Sequence, residues 1–597
     1  MTYSMTVKLT PEQLEARRHQ LNRAGLHAWL SPLGILLAVY IYRRCLHAGS
    51  IRCLPARGPP ARGAHLPLRL RRIAWVLSTT YVPEYGPLYI PLLGTLYTFW
   101  LLYLTTRGTG DDYMHVTKSM GHVAASQLPI HYLLSIKHAR YSPITWATGM
   151  THERLNSVHR LLGRIVHLFL SLHAVLYLWF FVSMGVLGRR IKDPDVQFGM
   201  LAFWGFTVLG MLSLPTVRRR VYHAVFYVSH VFLSGVVIPA LWVHVPYSRW
   251  FVGQVVVIYI LGVALRVHSA RKVEGLRCRA INTGTSRGLI QVTFHVGAED
   301  PLASAMPGQH VYLVRKGIAT PKTPATIANV QRTSGSCCHV EIMLVLRNTG
   351  GPGTADLARI AVCEGSGSAT KGLVQGMRVE GPYGGAGEYM PAFLGSDTGT
   401  WPKPKSKSRT FSSNGPILLV AGGIGVTYTL PIYLSLLKQS RKIKFIYITK
   451  TLGEAQWVID LLLDALRNGV TDTLDVEIYG TRSSQDALDR GGSDAAATLK
   501  SPFLRARGIK VQDLGRRPDL RESIDEVFKA MPDTKAARDT QSADARDEGR
   551  TVSDSISIFV CGPSGLSRHV RGLVGRWMWR DGRSVDWYEE VFGFGGS

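Results

Sequence analysis

The sequence predicts a multi-domain chain: a polytopic α-helical membrane bundle, then a small antiparallel β-barrel, then an α/β domain on a parallel sheet. Three observations predict it. Apolar runs recur through the first 270 residues, at 26–42, 86–105, 119–136, 155–183, 198–216, 222–246 and 250–267. Seven such runs of about membrane length are simplest read as seven spans. After residue 272 the pattern changes to short alternating runs such as Leu289–Phe294 and Val340–Leu346, parted by Gly and Pro turns, which read as strands. From 415 it changes again: the apolar run Ile417–Ala421, a glycine-rich turn, a helix to Leu437 and the strand Ile443–Thr449 form a βα unit.

The boundaries follow. Residues 1–118 form an N-terminal segment with two spans, 119–272 the core of the membrane domain, 273–387 the barrel and 388–597 the α/β domain. Residues 391–414 read as an exposed loop. Residues 483–555, rich in Asp, Arg, Ala and Ser, read as a partly disordered insertion around a helical piece near 519–530. The strand Ile556–Val560 returns the chain to the sheet. The basic loop 43–72 belongs inside by the positive-inside rule, which places the N-terminus outside. Alternation then puts the basic stretches 137–154, 217–220 and 266–272 inside as well.

Composition narrows the function classes. Of 597 residues 46% are hydrophobic and 18% charged, with a net charge of +28. Much of that charge flanks the apolar runs, which suits anionic lipid head groups. No nucleic-acid motif accompanies it, so no nucleic-acid partner is expected. The seven cysteines contain no CxxC pair, and Cys337-Cys338 are adjacent, so neither a disulfide framework nor a zinc site is expected. The first 25 residues carry no signal-peptide core.

The chemistry begins with spacing. His159 and His173 are 14 residues apart in one apolar run, and His230 and His244 are 14 apart in another. Fourteen helical residues advance about 21 Å and turn almost four times, so each pair shares a face. A lone membrane histidine is more often a packed residue than a ligand. Two pairs at identical spacing are harder to produce by accident, and stacked neutral imidazoles could hold two haems, one above the other. His167 lies about 80° off the shared face. His223 follows Arg218-Arg219-Arg220 and reads as interfacial. With both helices running from inside to outside, His159 faces His230 on the inner side and His173 faces His244 on the outer.

Gly422, Gly423 and Gly425 follow a strand and open a helix, where a phosphate can approach backbone N–H groups; Thr427 adds a hydroxyl. A second strand ending in Cys561-Gly562-Pro563 can line the same crevice. The chain closes on Tyr588-Glu589-Glu590-Val591-Phe592-Gly593-Phe594, and a terminal aromatic can stack on a flavin ring.

From about residue 119 onward the chain resembles the ferric reductase transmembrane family, relatives of the NADPH oxidases, with a ferredoxin-reductase-like cytosolic half. The stretch Gly121, Leu128-Pro129, Thr148-Gly149, Glu153, His159-Arg160 and Gly163-Arg164 is similar to its second and third core helices, and Arg218-Arg219-Arg220 through His230 to the entry of its fifth. The resemblance implies two b-type haems, at His159/His230 and His173/His244. It implies an FAD-binding barrel that uses Pro324, Thr326, Ile327, Ala328, Gly353 and Thr354, closed by Gly381-Pro382-Tyr383-Gly384. It implies NADPH at Gly422, Gly423, Gly425, Thr427, Cys561, Gly562 and Pro563, with Phe594 on the flavin. Gly515-Arg516-Arg517-Pro518 is similar to a further element of that module. Thr323 and Ala325 stand where the family usually has His and Phe, His223 where Glu is usual, and Lys450 where Arg is common.

The function expected is a transmembrane ferric-chelate reductase, most naturally of the plasma membrane, though an internal membrane is open. It would carry electrons from cytosolic NADPH through FAD and two haems to a ferric or cupric acceptor, in iron uptake. The preference for NADPH rests on the resemblance and on Arg482, Arg516 and Arg517 as partners of a 2′-phosphate. No side chain is assigned as catalytic. Two alternatives stand beside it: an oxidase that makes superoxide from dioxygen, and a non-catalytic membrane haem protein whose flavin site has decayed, suggested by Thr323 and Ala325.

Overall fold

The computed structural model describes residues 4–48, 68–136, 138, 141–220, 222–281, 288–315, 322–332, 339–364, 376–394, 415–439, 441–482, 502–531, 555–581 and 583–590. Two compact units emerge: among the described residues, 4–48 and 74–269 fall in one, and 68–73 with those from 270 onward in the other.

The first unit is helical. Five of its described helical stretches are long and apolar enough to cross a membrane: Pro11–Cys45, Arg154–Ser183, Pro194–Leu212, Val225–His244 and Pro246–Leu265. Their outward faces are apolar where a soluble protein would be polar. Val175, Trp179, Trp204, Phe232, Val257 and Ile260 are each more than half exposed, as side chains facing lipid are. Polar residues set the helix starts. Asp112 accepts from the His115 N–H at 3.0 Å and Thr151 from the Arg154 N–H at 3.5 Å. Two expected spans are not among the five. The run 86–105 is the 18-residue helix Tyr89–Thr106, in which the hydroxyls of Thr95, Thr98, Thr105 and Thr106 bond back to carbonyls four residues earlier. The run 119–136 is two short helices, Tyr113–Ser126 and Leu128–Leu133, because Pro129 starts a new helix after Gln127. Buried Gln127 bridges helices there: it donates to the Ala28 carbonyl at 2.8 Å and accepts from the Tyr97 hydroxyl at 2.5 Å. A small hairpin, β1 (Tyr81–Val82) and β2 (Gly86–Pro87), precedes the Tyr89–Thr106 helix.

The second unit starts with a curled antiparallel sheet. Its strands are β3 (Arg271–Lys272), β4 (Glu274–Ile281), β5 (Leu289–Gly297), β6 (His310–Arg315), β7 (Lys322–Arg332), β8 (His339–Arg347) and β9 (Met377–Tyr383). They lie in the order β3-β9-β6-β7-β8-β5-β4. β7 makes the curl: residues 322–326 pair with β6, and from Ile327 the strand pairs with β8 through a register shift. Alternate residues such as Val292, Phe294, Leu313, Ile342 and Leu344 point inward and fill the core.

A six-stranded parallel sheet follows, with β10 (Ile417–Gly422), β11 (Ile443–Thr449), β12 (Val476–Gly480), β13 (Ile509–Asp513), β14 (Ser555–Cys561) and β15 (Ser584–Glu590) in the order β13-β12-β11-β10-β14-β15. Three readings change here. The expected insertion 483–555 contains an edge strand, β13, and the helix Arg521–Lys529 packed on the sheet; its remaining residues, 483–501 and 532–554, lie outside the described ones. The expected loop 391–414 begins inside the helix Ala386–Leu394, which buries Met390 and Phe393; 395–414 lie outside the described residues. The expected tail from Tyr588 begins inside β15.

A buried ion cluster fastens the segment read as an insertion. The Lys444 ammonium on β11 meets Glu526 at 2.6 Å and Glu477 on β12 at 3.0 Å, and Glu477 accepts from Ser523 at 2.7 Å. Burial disfavours the ammonium, but the bonds to Glu526 and Glu477 outweigh it and hold its pKa up at about 12. Burial likewise opposes the Glu477 carboxylate, and the bonds from Ser523 and Lys444 overcome it and lower its pKa. Lys444→Met leaves Glu477 buried without its close cation and is expected to destabilise the unit by about 3 kcal/mol in urea unfolding. Since the Glu477 pKa is lowered on folding, its stabilisation is complete above the unfolded carboxyl pKa and is lost as pH falls through the folded value. Glu477→Gln is expected to flatten that acid limb.

Candidate functional site

His159 and His173 lie on the helix His152–Ser183, and His230 and His244 on Val228–His244. The structure brings them together in two pairs. The His159 and His230 ring centres are 6.4 Å apart, and so are those of His173 and His244. An imidazole nitrogen sits about 2 Å from a bound first-row metal, and the ring centre lies about 1 Å further back, so two rings trans across one metal have centres about 6 Å apart. Both pairs match that span. Hydrogen bonds orient the rings. His159 Nδ1 donates to the His131 carbonyl at 3.1 Å, His173 Nδ1 to the Thr117 carbonyl at 2.7 Å and His244 Nδ1 to the Asp195 carbonyl at 2.6 Å. A carbonyl only accepts, so each of these rings carries its proton on Nδ1 and keeps the Nε2 lone pair for a metal. His230 Nδ1 has no such partner among the described residues.

Among the described residues no cluster of three or more His, Cys, Asp and Glu could hold a metal ion. Each pair would offer two imidazole nitrogens to a metal. That donor set fits a metal whose other four positions are already filled by a planar macrocycle, as in haem. Glycine makes room for the rings. A Cβ on Gly121 would come within 2.7 Å of the His173 ring, and one on Gly199 within 2.5 Å of His244.

His131 was not foreseen. Its ring stacks on His159 at 4.2 Å and 6° between planes, and its Nε2–H donates to the His159 carbonyl at 3.2 Å. No spacing rule links residue 131 to 159, because they sit on different helices. His167 turns away from both pairs, to the Thr207 hydroxyl at 3.3 Å. The side chain of His223 lies outside the described residues.

In the second unit, Pro324, Thr326, Ile327 and Ala328 lie on β7 where it changes partner. Gly353 and Thr354 open the helix Pro352–Glu364, and a Cβ on Gly353 would fall 2.2 Å from Thr323 Oγ1. The motif strand and the helix N-terminus are thus in contact, an approach that a side chain at 353 would prevent. Ala325 and Ile327 point into the barrel core, whereas Ala328 packs towards the parallel sheet. The substitution at Ala325 therefore falls on the core face and removes nothing from the other face of β7.

The dinucleotide motifs meet at the carboxyl edge of β10 and β14, which are neighbours in the sheet. Strand order reverses there, with β11 on one side of β10 and β14 on the other, the usual place for a ligand crevice. A Cβ on Gly425 would lie 2.2 Å from the Cys561 carbonyl oxygen, and one on Gly422 would lie 2.9 Å from Pro563. Gly423 has φ +56, where a side chain would be strained. Thr427 is buried and donates its hydroxyl to the Ile424 carbonyl at 2.8 Å, so that proton braces the turn. Burial, helped by Glu590 and Glu589, pushes the Cys561 thiol well above its usual pKa, so it is an apolar wall and not a thiolate. Phe594 lies outside the described residues.

The same edge holds an ion pair that sequence reasoning missed. Arg347, at the end of β8, grips Glu454 through two bonds of 2.9 and 2.8 Å. Basic side chains also follow three neighbouring strands: Lys450 after β11, Arg482 after β12, and Arg516 and Arg517 after β13. The Arg482 N–H bonds the Lys450 carbonyl at 2.9 Å.

Comparison with known proteins gives matches in both halves. Residues 120–241 match the family described as ferric reductase like transmembrane component, and 415–575 the ferric reductase NAD binding domain. A probable ferric reductase transmembrane component of Eremothecium gossypii is 34% identical over 159 residues, 27% of this chain and 21% of that one. Ferric reductase transmembrane component 6 of Saccharomyces cerevisiae is 22% identical over 480 residues, 79% of this chain and 59% of that one. The alignments thus span about a fifth and three fifths of those two relatives. Component 1 of Schizosaccharomyces pombe is 22% identical, over 77% of this chain and 76% of that one. Among solved structures, a flavohemoglobin from Malassezia yamatoensis is 14% identical with a TM-score of 0.30, over 81% of this chain and 98% of that one. The cytochrome b5 reductase domain of Ulva prolifera nitrate reductase gives 14% and 0.30, over 53% and 97%.

Gly425→Val forces a side chain against backbone, and is expected to weaken dinucleotide binding at least tenfold by titration calorimetry while leaving the histidine pairs intact. Gly199→Leu is expected to push the His244 ring aside, so that a metal centre at His173/His244 is lost and one at His159/His230 survives, read as a halved absorbance change on reduction.

Proposed function

The chain belongs to the ferric reductase family, and from that premise we propose that it is a transmembrane ferric-chelate reductase drawing electrons from NADPH. The observation that carries the reading is the pair of imidazole pairs at one 6.4 Å separation, set along two apolar helices. His159 with His230 and His173 with His244 would each hold one b-type haem. Pro324, Thr326, Ile327, Ala328, Gly353 and Thr354 would hold FAD, and the glycines of 422–425 with Cys561-Gly562-Pro563 would hold the nucleotide. Bound there, flavin splits a hydride into single electrons and haem iron passes them one at a time. The protein's part is to orient these groups, exclude water and keep each imidazole in the metal-binding tautomer.

Lys450, Arg482, Arg516 and Arg517 support NADPH over NADH, since they gather cations at the edge where a 2′-phosphate would lie. The basic loops support a cytosolic flavin half and an outward acceptor site, in the plasma membrane or an internal one. Dropping the 86–105 and 119–136 runs from the span count removes two crossings and leaves that orientation unchanged. The acceptor is a ferric chelate, or cupric ion, in the service of iron uptake.

The test is turnover of the purified, haem-loaded protein with NADPH and ferric citrate under nitrogen. Ferrous iron should accumulate, and His173→Ala should lower its rate at least 100-fold while NADPH-driven reduction of a soluble dye at the flavin persists. Superoxide in air with no ferrous iron under nitrogen would make the chain an oxidase. Haem that dithionite reduces and NADPH does not would leave a haem protein without a working flavin half.

A further inference from the structure

Glu84 occupies a position that its own backbone disfavours. The turn Val82-Pro83-Glu84-Tyr85 closes with the Tyr85 N–H on the Val82 carbonyl at 3.1 Å, and Glu84 has φ +71. Proline second and a positive φ third are the marks of a type II turn, whose third place calls for glycine or asparagine. Glu84 is the one non-glycine residue with positive φ among the described residues. Such strain persists where something else needs the side chain.

What needs it is a pair of arginines. The Glu84 carboxylate accepts from Arg218 and lies 3.7 Å from Arg160 Nη1. Arg160 directly follows His159. Arg218 lies in the short helix Pro215–Arg220, which leads through the π-helical turn Tyr222–Tyr227 into the helix carrying His230. The hairpin also rests on the other side of His159: Arg160 Nη2 donates to Ser157 Oγ at 3.2 Å, and a Cβ on Gly86 would stand 3.5 Å from that same oxygen. One carboxylate thus ties the helix that presents His159 to the short helix that leads into the one presenting His230. The rings of His173 and His244 are held instead by the Thr117 and Asp195 carbonyls.

We propose that Glu84 is a positioning residue for the inner metal centre, a latch that bridges Arg160 and Arg218 and so fixes the separation of His159 and His230. This rests on the reading that those histidines hold a haem. The strain makes the latch testable, because Glu84→Gly relaxes the turn and removes the carboxylate together. A merely structural hairpin would tolerate glycine or gain from it; a latch would not.

The experiment compares the haem-loaded full chain with Glu84→Gly, Glu84→Gln and His159→Ala. It follows haem transfer to apomyoglobin and the reductive titration of each centre. In both Glu84 variants the centre that His159→Ala abolishes should release haem at least tenfold faster. Its reduction equilibrium should also shift at least tenfold towards the reduced form, about 59 mV for one electron, since a neighbouring negative charge is gone. The outer centre, unchanged in the same samples, reports that the fold is intact. Arg218→Met should reproduce the faster haem release, with the reduction equilibrium moving the opposite way because a positive charge is gone. Unchanged release and potential in both Glu84 variants, with His159→Ala still removing the inner signal, would overturn the latch alone. If His159→Ala changes no haem signal, the haem reading has failed and the latch falls with it.

Discussion

The helical unit depends on holding four imidazoles as two facing pairs in an apolar bundle. Such a group cannot be left to find its own orientation. Three of the four rings spend Nδ1–H on a backbone carbonyl of another helix, so tautomer and direction are set by the scaffold. The acceptors fall at His131, Thr117 and Asp195, which makes the short helices and the Pro194–Leu212 helix part of the site. Gly121 and Gly199 follow from the same demand, since the rings fit only where neighbouring helices lack a side chain.

The second unit solves a different problem with the same economy of space. Gly422 at the end of β10 meets Gly562 just after β14, and the barrel strand β7 lies against Gly353. These contacts leave no room for Cβ atoms, which explains glycine at 422, 425 and 353 without appeal to flexibility. The Arg347–Glu454 pair then joins the barrel to the parallel sheet beside that crevice.

Much of this was legible in the sequence, for physical reasons that differ by element. The histidine pairing was visible because a spacing of 14 has only one consequence on a helix. The order of strand, glycine turn and helix was visible because βα units carry local signals. β13 was hidden because it is five residues long, three of them polar, and is held by pairing with β12 from elsewhere in the chain. The short helices at 113–133 were hidden inside an apolar run, although Pro129 marked the break. His131, Glu84 and Arg347 were out of reach, since each acts on a residue at least 28 positions away that no pattern connects to it.

The most direct test of the account is the haem content of the purified chain, counted per polypeptide by the pyridine haemochrome, in the native protein and in His159→Ala and His173→Ala. Two haems in the native chain, falling to one in each variant with the remaining centre still low-spin, is the predicted result. A single haem that both substitutions abolish, or none at all, would contradict the paired imidazoles on which the whole reading stands.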